Sequence, residues 1–269
     1  MEKKMTKKEV YASFGIEYDT KTQKIKSPIG MVKPPLVDGN KKIGKGAFHF
    51  STLPGTALYD VVVNNMSYTV KGTCPCDCVG CYAKTGNYRF QSVKNALGMR
   101  TILAREHMAF LERAINAQIA ADNIKLLRIH AAGDMFSLEY AAMWQRIARN
   151  NPGVIVWTYT KLTACESMFD GLNNANIVKS IIPGIGKNYG TCAYIIGLYH
   201  TLKAAGHDVY ICRCGVDNNQ HCTTCTGCSK NKYVLFLEHS TDYKAAQDPL
   251  FPEFIKLVNS QPVQFITAA

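Results

Sequence analysis

Nine of the chain's eleven cysteines fall in two short stretches, and sulfur gathered this densely dictates what the backbone around it must do. Cys74, Cys76, Cys78 and Cys81 share eight positions; Cys212, Cys214, Cys222, Cys225 and Cys228 share seventeen. In a reducing cytosol such thiols serve metal rather than disulfides. The lysine-rich start, Met1 to Glu9, is followed by no apolar stretch, so export is not expected and a cytoplasmic setting is.

The chain has 269 residues, 47% of them hydrophobic and 19% charged, which excludes disorder as the overall state. Its net charge of +11 favours polyanionic partners such as nucleic acid or anionic cofactors. No apolar run approaches the ~20 residues of a membrane span, so no membrane partner is expected.

Residues 1–48 are rich in Lys, Gly and Pro and show no sustained period, which reads as an irregular basic arm lying against the main domain or as a solvated tail. Residues 49–208 read as a βα-repeat core. Ser67 to Val70 forms the first strand, a helix runs from Phe90 to about Ala121 with a break at Gly98, and Leu126 to His130 forms the next strand. A helical face on Tyr140, Trp144, Ile147 and Ala148 leads to a strand over Val154 to Tyr159. A helix near Glu166 to Leu172 precedes Ile177 to Ile182, and a helix over Ala193 to Ala204 precedes Val209 to Ile211. Strands separated by such helices predict an α/β fold with a parallel sheet, a partial or closed (β/α) barrel. Residues 209–269 complete the chain as a Cys-rich metal-binding segment with C-terminal elements.

In the first group, Cys74, Cys78 and Cys81 give Cys-x3-Cys-x2-Cys, the spacing that lets three thiolates of one loop hold three irons of a 4Fe-4S cluster and leave the fourth open. An open iron can chelate S-adenosylmethionine and pass an electron to its sulfonium. Cys76 is surplus to that pattern, and with it the loop offers instead a four-thiolate zinc site. The three cysteines, standing between the first strand and first helix of a βα series, resemble the cluster loop of the radical S-adenosylmethionine superfamily. More closely, the strings FHFSTLPG from Phe48, CPCDCVGCYAK from Cys74 and IHAAGDMFSLEYAAMW from Ile129 resemble a phage protein family, gene product 88, from about residue 48 onward. That likeness implies phage or prophage origin and overall layout.

The superfamily resemblance implies a cofactor-binding turn at the end of the second barrel strand, here Ala131-Ala132-Gly133-Asp134. Gly133 permits close backbone approach and Asp134 supplies a carboxylate. As an ordinary turn, the same residues would end the strand, with Asp134 or Ser137 capping the next helix. Lys161, at the carboxyl end of the third strand, is a candidate for a cofactor carboxylate or phosphate. His130 reads as structural. Gly184 to Gly190 lacks the glycine and hydroxyl residue of a phosphate loop and predicts no nucleotide hydrolysis.

Cys222, Cys225 and Cys228, joined by Cys212 or Cys214, satisfy either a second 4Fe-4S cluster or tetrahedral zinc, with His221 a polar loop residue or a zinc ligand. So few apolar residues surround them that metal must supply the order. Cys165 and Cys192 read as core residues. Two functions follow. One is a radical S-adenosylmethionine enzyme fed by a flavodoxin- or ferredoxin-type electron donor and acting on a nucleic acid or nucleotide. The other is a zinc-ordered nucleic-acid-binding protein without catalysis.

Overall fold

Thr6 starts helix α1 (Lys7–Ser13): its hydroxyl accepts the Glu9 amide while the Glu9 carboxylate accepts the Thr6 amide, satisfying donors that a helix start leaves unpaired. The computed structural model describes residues 4–39, 43–77, 81–179, 191–213, 222–223, 225, 227–231, 233–236 and 245–261. After α1, strands β1 (Tyr18–Asp19), β2 (Lys24–Ser27) and β3 (Gly30–Val32) form an antiparallel sheet. Strand β4 (Val37–Asp38) pairs antiparallel with β5 (Ala47–Phe50). The stretch expected to be an irregular arm is therefore ordered, and Tyr11, Ile16, Tyr18, Ile25 and Leu36 lie in the main core. Its strands are two to four residues long, too short for any period to register in the sequence.

Strands β6 (Leu58–Val63) and β7 (Met66–Lys71) make an antiparallel hairpin turned by Asn64 and Asn65, both at positive φ. The strand expected to open the βα series belongs to this hairpin; the parallel series starts at β5 instead. Helices α2 (Gln91–Glu106) and α3 (Met108–Asp122) are broken at His107, not at Gly98. Gly98 lies inside α2, where Val61 packs so closely that a Cβ would stand 2.7 Å from its Cγ1. Strand β8 (Leu126–Ile129), helix α4 (Leu138–Asn150) and strand β9 (Ile155–Thr160) follow, then a 3-10 turn over Thr163–Phe169 where a helix was expected, then β10 (Ala175–Lys179). Strands β5, β8, β9 and β10 run parallel in that spatial order, with Phe50 beside Ile129 and Ile129 beside Thr158. Helix α5 (Cys192–Ala204) precedes β11 (Val209–Ile211); the short helix α6 (Gly227–Lys230) precedes β12 (Tyr233–Leu235), which pairs in parallel with β11; α7 (Phe251–Ser260) follows.

The two faces of the parallel sheet bury different things. Leu127, Ile129, Val156 and Ile177 pack with residues of α2, α3 and α4 such as Leu103, Leu111 and Trp144. Leu126, Trp157 and Val178 point the other way, into a cluster with Tyr210, Cys212, Cys228 and Val234. Each fully buried Leu or Ile contributes ~1.5–3 kcal/mol. Cys165 and Cys192 are both fully buried. Among the described residues no helix is long and apolar enough to cross a membrane.

One polar side chain ties the N-terminal segment to this core. Buried Gln118 of α3 accepts the Leu36 amide at 2.8 Å and donates to the Leu36 carbonyl at 2.9 Å. Gln118→Leu strips both buried backbone groups of their partner, so a loss of about 1–3 kcal/mol is expected in urea unfolding, with faster hydrogen exchange at the Leu36 amide. An unchanged exchange rate would show the segment is held by other contacts.

Candidate functional site

The carboxyl ends of β5, β8 and β9 meet, and the first cysteine loop is stitched to them. Beyond β5, the Thr52 amide donates to the Ala132 carbonyl at 3.0 Å, the Thr73 amide to Leu53 at 2.9 Å, and the Cys74 amide to Gly55 at 3.1 Å. Gly72 permits this closeness, since a Cβ there would lie 2.3 Å from the Gly55 oxygen. The Cys74 sulfur accepts the Gly55 amide at 3.1 Å, a donor that favours the thiolate over the thiol. Cys74, Cys76 and Cys81 are partly accessible; Cys78 lies outside the described residues.

Asp77 holds the loop in shape. Its carboxylate accepts Lys84 Nζ at 2.7 Å, the Thr56 hydroxyl at 2.6 Å and the Thr56 amide at 3.2 Å. Those donors, Lys84 first, hold its carboxyl down at about 2. The Tyr82 hydroxyl donates to the Ala131 carbonyl, tying the far side of the loop to the end of β8.

At that end the chain passes through His130 and Gly133, both at positive φ, before Asp134. The Thr73 hydroxyl donates to the Leu53 carbonyl at 3.0 Å, so its oxygen must accept both the Thr52 hydroxyl at 2.8 Å and the Asp134 amide at 3.1 Å. Asp134 is 1% exposed. One of its oxygens accepts the Met135 amide at 2.7 Å; the other accepts the Lys161 amide at 3.1 Å and lies 3.5 Å from Lys161 Nζ. Burial pushes the Asp134 carboxyl up, against the pull of Lys161. The cap of α4 is Ser137, whose hydroxyl accepts the Tyr140 amide, and not Asp134. His130 turns toward α4, its Nε2 3.0 Å from the Tyr140 hydroxyl.

The structure thus brings the Cys74 loop, Gly133, Asp134 and Lys161 to one edge of the sheet. Thr52, Thr73 and Asp77, which hold that edge together, were not singled out in the sequence. Apart from Lys84 beside Asp77, their partners lie 20 or more positions away, and no local pattern announces them.

The second group sits on the face opposite α2–α4. Cys212 and Cys228 are buried with Trp157 and Val178, and Cys222 and Cys225 are partly buried against them. Asn176 of β10 donates to the carbonyls of Cys228 and Asn231 at 2.8 and 2.9 Å, docking α6 on the sheet. The Cys225 sulfur accepts the Gly227 amide at 3.4 Å and lies 3.3 Å from the Tyr210 hydroxyl. Only glycine fits at 227, where a Cβ would stand 2.1 Å from the Tyr210 ring. Amide donors on sulfur and a largely enclosed thiol set suit a metal–thiolate centre. Cys214, His221 and the 184–190 loop lie outside the described residues, and among the described ones no three metal-type side chains converge as a finished site.

Comparison with known proteins gives a consistent placement. The family model described as Gene product 88 matches residues 34–240. The Gene 88 protein of Mycobacterium phage L5 is 53% identical over 38 residues, which is 14% of this chain and 16% of that relative's length. No solved structure matches the chain.

Proposed function

The chain belongs to the Gene product 88 family, and from that premise we propose that it is an iron–sulfur enzyme of the radical S-adenosylmethionine type built on a partial (β/α) barrel. What carries the reading is the meeting, at the carboxyl edge of a parallel sheet, of a Cys-x3-Cys-x2-Cys loop with the Gly133-Asp134 turn and Lys161. That edge is where parallel α/β sheets place ligands. Cys74, Cys78 and Cys81 would hold the catalytic cluster, and Cys222, Cys225 and Cys228, with Cys212 or Cys214, a second centre. When bound, the catalytic cluster supplies reductive cleavage of S-adenosylmethionine and, through it, hydrogen abstraction from a substrate.

The chain's own residues bind and orient. Gly133 lets the buried Thr52 and Thr73 hydroxyls pack against the turn, and Asp134 acts as a positioning residue: both its oxygens are engaged by the protein, so it fixes Lys161 at the end of β9. The net charge of +11 favours a nucleic acid or nucleotide as substrate, and an acidic flavodoxin or ferredoxin as electron donor suits the same excess of positive charge.

Protein purified without oxygen is expected to be brown, with roughly four to eight irons per chain, and to release 5′-deoxyadenosine on addition of dithionite and S-adenosylmethionine. Cys78→Ala should abolish that product while circular dichroism stays that of the parent. A colourless protein holding about two zincs, unreactive in this assay, would replace the reading with that of a zinc-ordered nucleic-acid-binding protein.

A further inference from the structure

The stretch around and beyond Cys81 differs from the rest of the chain in charge. From residue 78 to residue 105 there is no aspartate or glutamate, while Lys84, Arg89, Lys94, Arg100 and Arg105 are all cations. Aromatic side chains are interleaved with them at Tyr82, Tyr88 and Phe90. Three of the cations serve the protein itself. Buried Arg100 donates from Nε to the Pro35 carbonyl at 2.8 Å, Lys84 is held by Asp77, and Arg105 is turned to the Gly72 carbonyl and the Phe136 ring. Arg89, exposed between Tyr88 and Phe90, and Lys94, in the first turns of α2, are left to meet an anion.

The backbone holds the rings in a fixed array. A 3-10 turn over Tyr82–Lys84 is followed by another over Gly86–Arg89, and Phe90 then caps α2. The Tyr82 hydroxyl donates to the Ala131 carbonyl, and its ring stands edge-on to that of Tyr88, 6.1 Å between centroids, with Tyr88 packed against the main core. Even so, Tyr82 is 47% and Phe90 61% exposed, and of the large apolar side chains exposed among the described residues these two are the aromatic ones. Phe90 serves α2 poorly, because an N-cap favours Ser, Thr, Asp or Asn and Phe90 gives the helix no side-chain hydrogen bond. A flat apolar ring in water, next to an arginine, is what a nucleobase stacks on while its phosphate meets the cation.

We propose that residues 82–94 form a docking surface for single-stranded nucleic acid, with bases stacking on Tyr82 and Phe90 and phosphates meeting Arg89 and Lys94. Such stacking needs base faces that a duplex keeps covered, which sets the strand form. The surface begins at the residue after Cys81, so a strand lying on it passes beside the first cysteine loop. The inference rests on the reading of nucleic acid as the substrate and is indifferent to which metal that loop holds.

The test is fluorescence anisotropy of labelled oligothymidylate and oligouridylate of about 12 nucleotides, each alone and annealed to its complement, with anaerobically purified full-length protein and no reductant. Phe90→Ser, which supplies the cap that α2 lacks, should weaken single-strand binding at least about five-fold, leave duplex binding unchanged and not lower the thermal midpoint. Arg89→Gln should reduce the slope of log affinity against log salt concentration by about 0.7 for the single strand. Parental single-strand affinity in Phe90→Ser, an equal loss on duplex, or an unchanged salt slope in Arg89→Gln overturns the inference and leaves nucleic acid as a substrate bound elsewhere. No binding of any of these probes by the parent removes that substrate reading and the inference together, and a protein partner becomes the occupant of the exposed rings.

Discussion

Gly133→Ala is expected to destabilise the protein by an amount in the upper half of ~2–5 kcal/mol, the sum of a left-handed backbone penalty of ~1–2 and an overpacking penalty of ~1–3. Gly133 has φ +83, and a Cβ built on it would stand 1.9 Å from Thr52 Oγ1 and 2.7 Å from Thr73 Oγ1. Neither hydroxyl can retreat. Thr52 is fully buried, and Thr73 serves the Leu53 carbonyl, the Thr52 hydroxyl and the Asp134 amide at once. The damage falls where β5, β8 and the Cys74 loop are joined, so the cluster proposed for that loop should be retained less well as the fold weakens. Chemical denaturation reads the first effect and metal analysis the second. A variant with the parental midpoint would mean the turn relaxes without disturbing the threonine pair.

Acid should destabilise the protein partly through His130, and His130→Asn should flatten that dependence. Burial, helped by the charges of Arg128 and Lys161, depresses the imidazole from 6.5 to about 3. Above pH 6.5 the ring is neutral in both folded and unfolded chains and has no effect on the balance. Between 6.5 and about 3 the unfolded chain takes up the proton and the folded one does not, so stability falls with each step of acidification. By pH 3 the loss from this residue is on the order of 4 kcal/mol. Asparagine suits the observed φ of 59 and does not titrate. The variant is weaker at neutral pH, because the ring's contacts with Tyr140 and Phe50 are gone. The decisive quantity is the slope of unfolding free energy against pH between 6.5 and 4, and equal slopes in both proteins would remove the buried neutral histidine from the account.

The sequence was most legible where one element buries a long apolar run. Strands β8 and β9 stood out through their clustered Val, Ile and Leu, and helix α4 through Tyr140, Trp144, Ile147 and Ala148 recurring on one face, with Ser137 as its cap. Strand β5 escaped notice: Ala47-Phe48-His49-Phe50 alternates no more clearly than the loop around it, and its place in the sheet depends on β8, which lies 79 residues on, as in the pairing of Ala47 with Leu126. The break at His107 has no glycine or proline to announce it. At the site, cysteine spacing is a local property and was readable, whereas the threonine pair and the tie between Asp77 and Thr56 act through contacts between distant segments. Charge and hydroxyl groups of this kind have no periodic signature; their importance lies in what stands opposite them.

The clasp between Gln118 and Leu36 spans 82 residues of chain. During synthesis, at roughly 5–20 residues per second, Leu36 therefore waits about 4–16 s before its partner is even made. Over that interval β4 lacks its anchor and the β8 edge on which β5 will lie, leaving unsatisfied backbone exposed to other nascent chains. The order in which the ribosome delivers the segments thus leaves the stretch around Leu36 unsettled until α3 and β8 have been made, and a temporary hold by a chaperone would act there first.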